Sequence, residues 1–359
     1  MPKRILIINP FGIGDVLFCT PLIRNIRFYY PDAFIAVAVQ KKVAPVLENN
    51  PSINRVIPFS RGDFKDLSRK SRIKAMGLLF KTLGEIRRSR FDLCIDLSLE
   101  HRYSLFLKLM GVRQRVGFNY KHRGRFLTHS INIYGYDGKH VVEYHLELLR
   151  FLGKRTEFYN TEIFLRQEER DWAEAFLNSS GVAKDDSVIG IIPGGGASWG
   201  RQGYLKHWPK ESFTQVADRL AEKLGGKIII FAGSLDREIA EDIIQKMHQP
   251  AINVIAKADL RQFIALIGKC KLIITNDAGP LHIAVALGVK NMSLFGPVDE
   301  KVYGPYPSGP GNVVLSKDFN CRPCYEYFRV PDCRYQLRCL KEITVDEAYS
   351  EAEKLLKYG

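Results

Sequence analysis

Short apolar runs separated by helix-length stretches, set out twice along the chain, constrain it more than any other feature. In the first half the runs are Ile5–Asn9, Phe34–Val39, Arg55–Phe59 and Phe91–Leu97, with helical stretches such as Val16–Tyr29 and Met76–Arg88 between them. In the second half they are Ser187–Ile192, Lys227–Ala232, Asn253–Ile255, Leu272–Thr275 and Asn291–Leu294. A strand that re-enters its sheet in parallel needs a crossover, usually a helix, so this alternation predicts βα units around a parallel sheet. At 359 residues the chain exceeds the roughly 250–300 that one core supports. The predicted fold class is therefore α/β with two doubly wound parallel-sheet domains, 1–165 and 166–343. Helix His140–Leu152 stops at Gly153, Lys154–Leu165 serves as linker, and Thr344-x-x-Glu347 reads as the capping box of a terminal helix in 344–359.

Doubly wound sheets bind ligands at the carboxyl ends of their strands, which directs attention to the loops Pro10–Asp15, Pro193–Trp208, Gly233–Glu238 and Asn276–His282. The first reads Asn9-Pro10-Phe11-Gly12-Ile13-Gly14-Asp15 between a strand and a helix. The third glycine of a dinucleotide fingerprint would fall at Leu17, where that motif needs close packing, so a nicotinamide cofactor is disfavoured. What the loop offers is a carboxylate, Asp15, at a helix N-terminus beside Gly12 and Gly14, whose bare backbone allows close approach. Aligned amides keep such a carboxylate ionised and able to act as a base. A plain N-cap aspartate is the alternative.

In Thr275-Asn276-Asp277-Ala278-Gly279-Pro280-Leu281-His282 a strand passes into a helix with Pro280 in its first turn. Free amides there suit an anion; His282 can donate to a phosphate oxygen, and Asp277 can fix loop amides or a ribose. Pro193-Gly194-Gly195-Gly196 follows another strand, with Lys206-His207-Trp208-Pro209 ten residues beyond its last glycine. No Gly-Lys-Ser/Thr is present, so this is not a P-loop; the glycines permit backbone approach and Lys206 can neutralise a diphosphate.

All of the +14 net charge lies in the first half: residues 1–165 carry 28 Lys and Arg against 14 Asp and Glu, residues 166–359 carry 25 of each. It is concentrated in Arg61–Arg90 and in Arg113–Arg125, the latter holding Arg113, Arg115, Lys121, Arg123 and Arg125 interleaved with Phe118, Tyr120 and Phe126. A polyanionic partner and a solvated basic face both account for it. Nucleic acid is not the expected partner, because no recognition helix, RRM signature or zinc module is evident. Cys19, Cys94 and Cys270 lie in or beside apolar segments and read as buried thiols. Cys321, Cys324, Cys333 and Cys339 cluster late; Cys321-x-x-Cys324 has zinc-site spacing and the second pair does not, so zinc ligation and reduced packing thiols both stay open. The run Ile5–Ile8 is too short for a signal-peptide core or a membrane span, and the chain is expected to stay in the cytoplasm.

The elements Gly12-x-Gly14-Asp15, Lys206-x-Trp208-Pro209, Gly233-x-x-x-x-Glu238 and Asp277-x-Gly279-x-x-His282, in this order over nearly the whole chain, resemble the successive signatures of glycosyltransferase family 9, the bacterial heptosyltransferases. Phe295-Gly296-Pro297 and Gly304-Pro305-Tyr306 fit as well. The resemblance implies a GT-B fold: two Rossmann-like domains and a cleft, acceptor on the first, nucleotide sugar on the second, and the terminal helix packed back toward the first. It implies inverting, metal-independent transfer from a nucleotide sugar, ADP-heptose above others, to a lipopolysaccharide core or related anionic lipid-linked glycan. No cofactor beyond the donor is required, and the enzyme would touch the inner face of the cytoplasmic membrane transiently. Asp15 occupies the position of the family's base; Lys206 would contact the diphosphate, Glu238 the ribose, and Asp277, Ala278, Gly279 and His282 the nucleotide and its phosphates. Gly194 and Gly195 would join the donor side, and Gly12, Gly14, Arg113, Arg115, Lys121 and Arg123 the acceptor side. Ala278 stands where heptosyltransferases often carry threonine, and the loop before Lys206 is longer. A transferase with another nucleotide sugar and a GT-B sugar-nucleotide epimerase are the alternatives.

Overall fold

Strand β1 (Arg4–Asn9) is buried from Ile5 to Asn9, and β7 (Val188–Ile192) throughout. Continuous burial is what a parallel strand shows when helices cover both faces of its sheet. The computed structural model describes residues 2–60, 84 and 88–358. It contains two units, Met1–Tyr136 with Val141–Tyr159, and Asp137–His140 with Asn160–Gly359. The helix expected over Met76–Arg88 and the basic stretch Arg61–Arg90 fall outside the described residues except at 84 and 88–90.

In the first unit β1 pairs in parallel with β2 (Phe34–Gln40) and β4 (Leu93–Asp96), so that Ile8 lies beside Ala38 on one side and Asp96 on the other. With β3 (Arg55–Phe59), β5 (Gln114–Tyr120) and β6 (His129–Ile133) the order is β3-β2-β1-β4-β5-β6. The second unit repeats it. From β7, β8 (Lys227–Ile230), β9 (Ala251–Asn253), β10 (Leu272–Asn276), β11 (Asn291–Leu294) and β12 (Asn312–Leu315) it builds β12-β11-β10-β7-β8-β9, the same winding counted from β7. The two sheets are doubly wound, and each reverses direction between its first and fourth strands, β1 and β4 or β7 and β10.

Several elements depart from the sequence reading. The stretch Val16–Tyr29 is two helices, Ile13–Leu17 and Thr20–Tyr29, with Pro21 in the first turn of the second. Strands β5, β6 and β12 were not anticipated. Basic residues in Arg113–Arg125 obscured β5, whose alternate residues Phe118 and Tyr120 are 3% and 7% exposed; Phe118 packs its ring on Tyr136 and Tyr144. These two aromatics therefore belong to the core and not to a surface patch.

The terminal helix Val345–Tyr358 is capped as expected, Glu347 N–H donating to Thr344 Oγ1 at 3.2 Å and Thr344 N–H to Glu347 Oε2 at 2.8 Å. Ala348, Tyr349, Ala352 and Leu355 join the second unit's own core with Phe213, Val216 and Leu220 of helix Lys210–Leu224. The apolar stripe of helix Lys210–Leu224 supplies the matching surface, and Arg219 holds Asp346 at 2.6 Å.

Trp208 joins that core to the loop that carries Lys206. It is fully buried, donates its indole N–H to the Ile343 carbonyl at 3.0 Å, and sets its ring edge-on to Phe213. Trp208→Ala leaves a cavity and an unpaired carbonyl, and should lower unfolding stability by about 3–5 kcal/mol in denaturant titrations.

Candidate active site

The loops that leave β1, β7 and β10, three of the four switch-point strands, carry most of the residues singled out from the sequence. In the first unit Asn9 closes β1 and turns the chain: its Nδ2 donates to the Asp15 carbonyl at 2.8 Å and its Oδ1 accepts from Phe11 N–H at 3.2 Å. Gly12 N–H donates to Asp15 Oδ2 at 3.1 Å. The carboxylate is thus held at the N-terminus of helix Ile13–Leu17, half-buried, with Gly14 in the same first turn. The amide bond and the helix terminus both favour its charged form.

Next to that loop stands a second carboxylate that the sequence reading passed over. Asp96 ends β4 opposite Ile8, is 5% exposed, and accepts Ser98 N–H at 2.9 Å. Burial raises its pKa from 3.8 to about 6, with the Ser98 hydrogen bonds opposing the shift. In the sequence it is one of two aspartates in the run Phe91–Leu97, and only the fold distinguishes it from Asp92.

Of the basic residues, Arg113 and Lys121 are exposed. Arg123 pairs with Glu100 at 2.9 Å, while Arg115 donates to backbone carbonyls of Phe126 at 2.7 Å, Val112 and Arg113. Its guanidinium braces the β5–β6 turn.

In the second unit Asn276, the last residue of β10, ties three segments together. Its Nδ2 donates to the Pro193 carbonyl at 2.6 Å and to Gly194 O at 3.3 Å, and its Oδ1 accepts Trp208 N–H at 2.9 Å. This fixes the glycine loop after β7 and the Lys206–Pro209 element against the end of β10. Lys206 Nζ then meets Asp277 Oδ2 at 2.6 Å, with side chains only 11% and 6% exposed. Removing either partner from so enclosed a pair leaves an uncompensated charge costing about 3–5 kcal/mol.

The glycines are needed for contact. Gly195 has φ +141°, and a Cβ on it would lie 2.7 Å from that of Ala278; a Cβ on Gly194 would lie 2.2 Å from the Asp236 carboxyl carbon. Gly279 begins the helix Gly279–Ala286, in which Ala278 is the N-cap and Pro280 occupies the first turn. His282, four residues into that helix region, is 5% exposed, and burial, then His140 and Lys206, lowers its pKa to about 3. It is neutral at neutral pH and can offer a hydrogen bond but no charge.

Gly194, Gly195, Lys206, Asp277, Ala278, Gly279 and His282 are thus gathered at the β7–β10 switch point. Glu238 is exposed in the first turn of helix Arg237–Lys246, which follows β8. Asp236, which the sequence reading did not choose from the same loop, faces Gly194, and burial raises its pKa against the influence of His207 and Gly195 N–H.

Cys321, Cys324, Cys333 and Cys339 line one recess of about 640 Å³ and are free thiols. Among the described residues no group of three or more His, Cys, Asp or Glu is arranged to hold a metal ion. Cys333 Sγ accepts Leu337 N–H at 3.3 Å, and burial with the neighbouring thiols pushes the Cys324 pKa up to about 11. Among the described residues no helix is long and apolar enough to cross a membrane.

Residues 79–333 match the sequence model of glycosyltransferase family 9 (heptosyltransferase). The chain belongs to glycosyltransferase family 9. It is 29% identical over 355 residues to lipopolysaccharide heptosyltransferase 3 of Escherichia coli K12, covering 96% of this chain and 95% of that one. The solved family 9 glycosyl transferase of Veillonella parvula superposes with a TM-score of 0.82 at 25% identity, covering 99% and 98% of the two chains. The structure of E. coli ADP-heptose lps heptosyltransferase II gives 0.77 at 22% identity over 98% of each. The fold is therefore GT-B, and the protein is a glycosyltransferase.

Asp96 gives this family 9 enzyme a testable pH dependence. The unfolded carboxyl ionises near 3.8 while the folded one holds its proton to about 6, so stability falls as pH rises through that window and levels off above it. Asp96→Asn, which keeps an acceptor for Ser98, should be more stable than wild type by about 2–3 kcal/mol near neutrality. In denaturant titrations the gain should fade towards about pH 4; a gain equal at both ends would remove the titration as its cause.

Proposed function

We propose that the enzyme transfers heptose from ADP-heptose to a hydroxyl of a lipopolysaccharide core, in one inverting displacement with Asp15 as general base. The observation that carries the donor side is the enclosed Lys206–Asp277 pair beside the N-terminus of helix Gly279–Ala286, at the switch point of the second sheet. A single buried cation with free helix amides next to it is chemistry suited to a diphosphate. The names of the relatives, a lipopolysaccharide heptosyltransferase and an ADP-heptose lps heptosyltransferase, support the sugar and the acceptor class.

Asp15 takes the proton of the acceptor hydroxyl, whose oxygen attacks the anomeric carbon on the face opposite the leaving diphosphate. The bond from that carbon to the diphosphate oxygen breaks, and ADP leaves with the electron pair. General-base help is worth about 10²–10⁴ in rate. Lys206 and the amides at Ala278 and Gly279 meet the growing negative charge, and neutral His282 adds a hydrogen bond. Glu238 would meet the ribose. With the charge met in this way the reading requires no metal ion. Arg113, Lys121 and Arg123 would meet an anionic acceptor at the inner face of the membrane, with Arg115 bracing them.

Calorimetric titration with ADP, UDP and GDP tests the donor assignment: ADP should bind best without added metal, and Lys206→Ala should weaken it about tenfold or more. Preference for UDP or GDP would discard heptose as the sugar. Asp15→Ala should leave ADP affinity near wild type and lower turnover by about 10² or more; retained turnover would take the base role from Asp15. Charge reversal at Arg113 and Lys121 should reduce co-sedimentation with anionic vesicles, and unchanged binding would leave these residues merely solvated.

A further inference from the structure

Lys206 has a second neighbour that the reaction scheme leaves unused. Its Nζ lies 4.4 Å from the ring centroid of Trp199. Trp199 in turn stacks on Tyr325, with centroids 4.9 Å apart and planes 27° from parallel, and Tyr325 meets Tyr303 edge-on at 5.7 Å. These aromatics pack on buried Leu281, Phe295 and Val298, and Leu281 adjoins His282 in the same helix. The Trp199 backbone N–H donates to Gly196 O at 2.8 Å, a turn that ties the start of this segment to the glycine loop.

Tyr325 is delivered by the cysteine-rich segment. The backbone N–H groups of Cys324 and Tyr325 both donate to the Pro297 carbonyl, at 3.0 and 2.9 Å. Arg322 clamps the same turn through Gly296 O, Val298 O at 3.2 Å, Lys317 O at 3.0 Å and Glu300 at 2.8 Å.

We infer that Trp199, backed by Tyr325, is a positioning residue that holds the Lys206 ammonium for the donor diphosphate, and that the cysteine-rich segment serves as the outer wall of this bracket. This rests on the donor-site reading above. An indole face attracts a cation without neutralising it and without accepting one of its three classical hydrogen bonds. Asp277 does both. The lysine is therefore steered from one side by a group that leaves its charge and its remaining donors available to phosphate oxygens.

The test is a double-mutant cycle on ADP affinity, read by calorimetry without metal. Trp199→Ala and Trp199→Leu should each raise the Kd for ADP by about five- to thirty-fold, while Trp199→Phe, which keeps an aromatic face, should stay within about threefold of wild type. Leucine retains apolar bulk against Leu281 and Phe295, so Trp199→Leu should keep the wild-type melting temperature and remain informative if alanine unfolds the loop. In a Lys206→Gln background Trp199→Leu should change the Kd by less than about twofold. Tyr325→Ala should weaken ADP in the wild type but not in Trp199→Leu. If Trp199→Leu costs as much without Lys206 as with it, or Trp199→Phe is as weak as leucine, the positioning role is overturned while the donor site stands. If Lys206→Gln itself leaves ADP affinity unchanged, the donor-site reading falls and the inference with it.

Discussion

One buried amide holds the second half of the molecule in a form that can bind anything. Asn276 ends β10 with its side chain turned across the sheet edge, giving its two donors to Pro193 and Gly194 carbonyls and its acceptor to Trp208 N–H. The three contacts come from three separate stretches of chain, and in a site closed to water each would otherwise leave a main-chain group unpaired. No aspartate could replace it, having no hydrogen to offer the two carbonyls. The glycine loop, the lysine element and the start of helix Gly279–Ala286 share a position because this one residue fits all of them.

What offsets the burial of the lysine there follows from its surroundings. An isolated ammonium buried to this extent carries a large desolvation cost. Asp277 removes that cost by pairing, and an entering diphosphate, with more charge and more acceptor oxygens than one carboxylate, can compete for the same donors. The neutral imidazole of His282 is consistent with this arrangement: a second positive charge beside Lys206 is disfavoured by burial and by the lysine itself. The site concentrates one positive charge and supplements it with hydrogen bonds.

Much of this was legible in the sequence. The strand-end loops could be located because fully buried parallel strands are continuous apolar runs, and β3 and β11 were read to the residue. The residues of the Lys206 and Asp277 elements could be paired because a doubly wound sheet brings the first and fourth strand ends together. What could not be read has a common physical cause. Strand β5 carries charges that snorkel or bind backbone, as Arg115 does, so its buried face was masked by composition. The terminal helix offered an amphipathic stripe whose fit to helix Lys210–Leu224 is a matter of surface complementarity and leaves no local sequence pattern. Asp96 and Asp236 were hidden because burial of a single carboxylate is a property of the packed environment and leaves no spacing pattern.

The aromatic bracket is the furthest from local pattern. Trp199 and Tyr325 are separated by most of the second unit in sequence: one is in the kinked 3₁₀ segment Ala197–Lys206 and the other beside a cysteine pair. The long loop before Lys206 reads from sequence only as an insertion. In the fold its added length lets the chain leave the glycine loop, place an indole against the lysine and return to Trp208 at the core. Gly200, with φ +58°, makes that return possible in a conformation that a side chain would strain. Loop length and the cysteine-rich segment become one feature: the first brings the indole to the cation, and the second stacks a tyrosine on the indole.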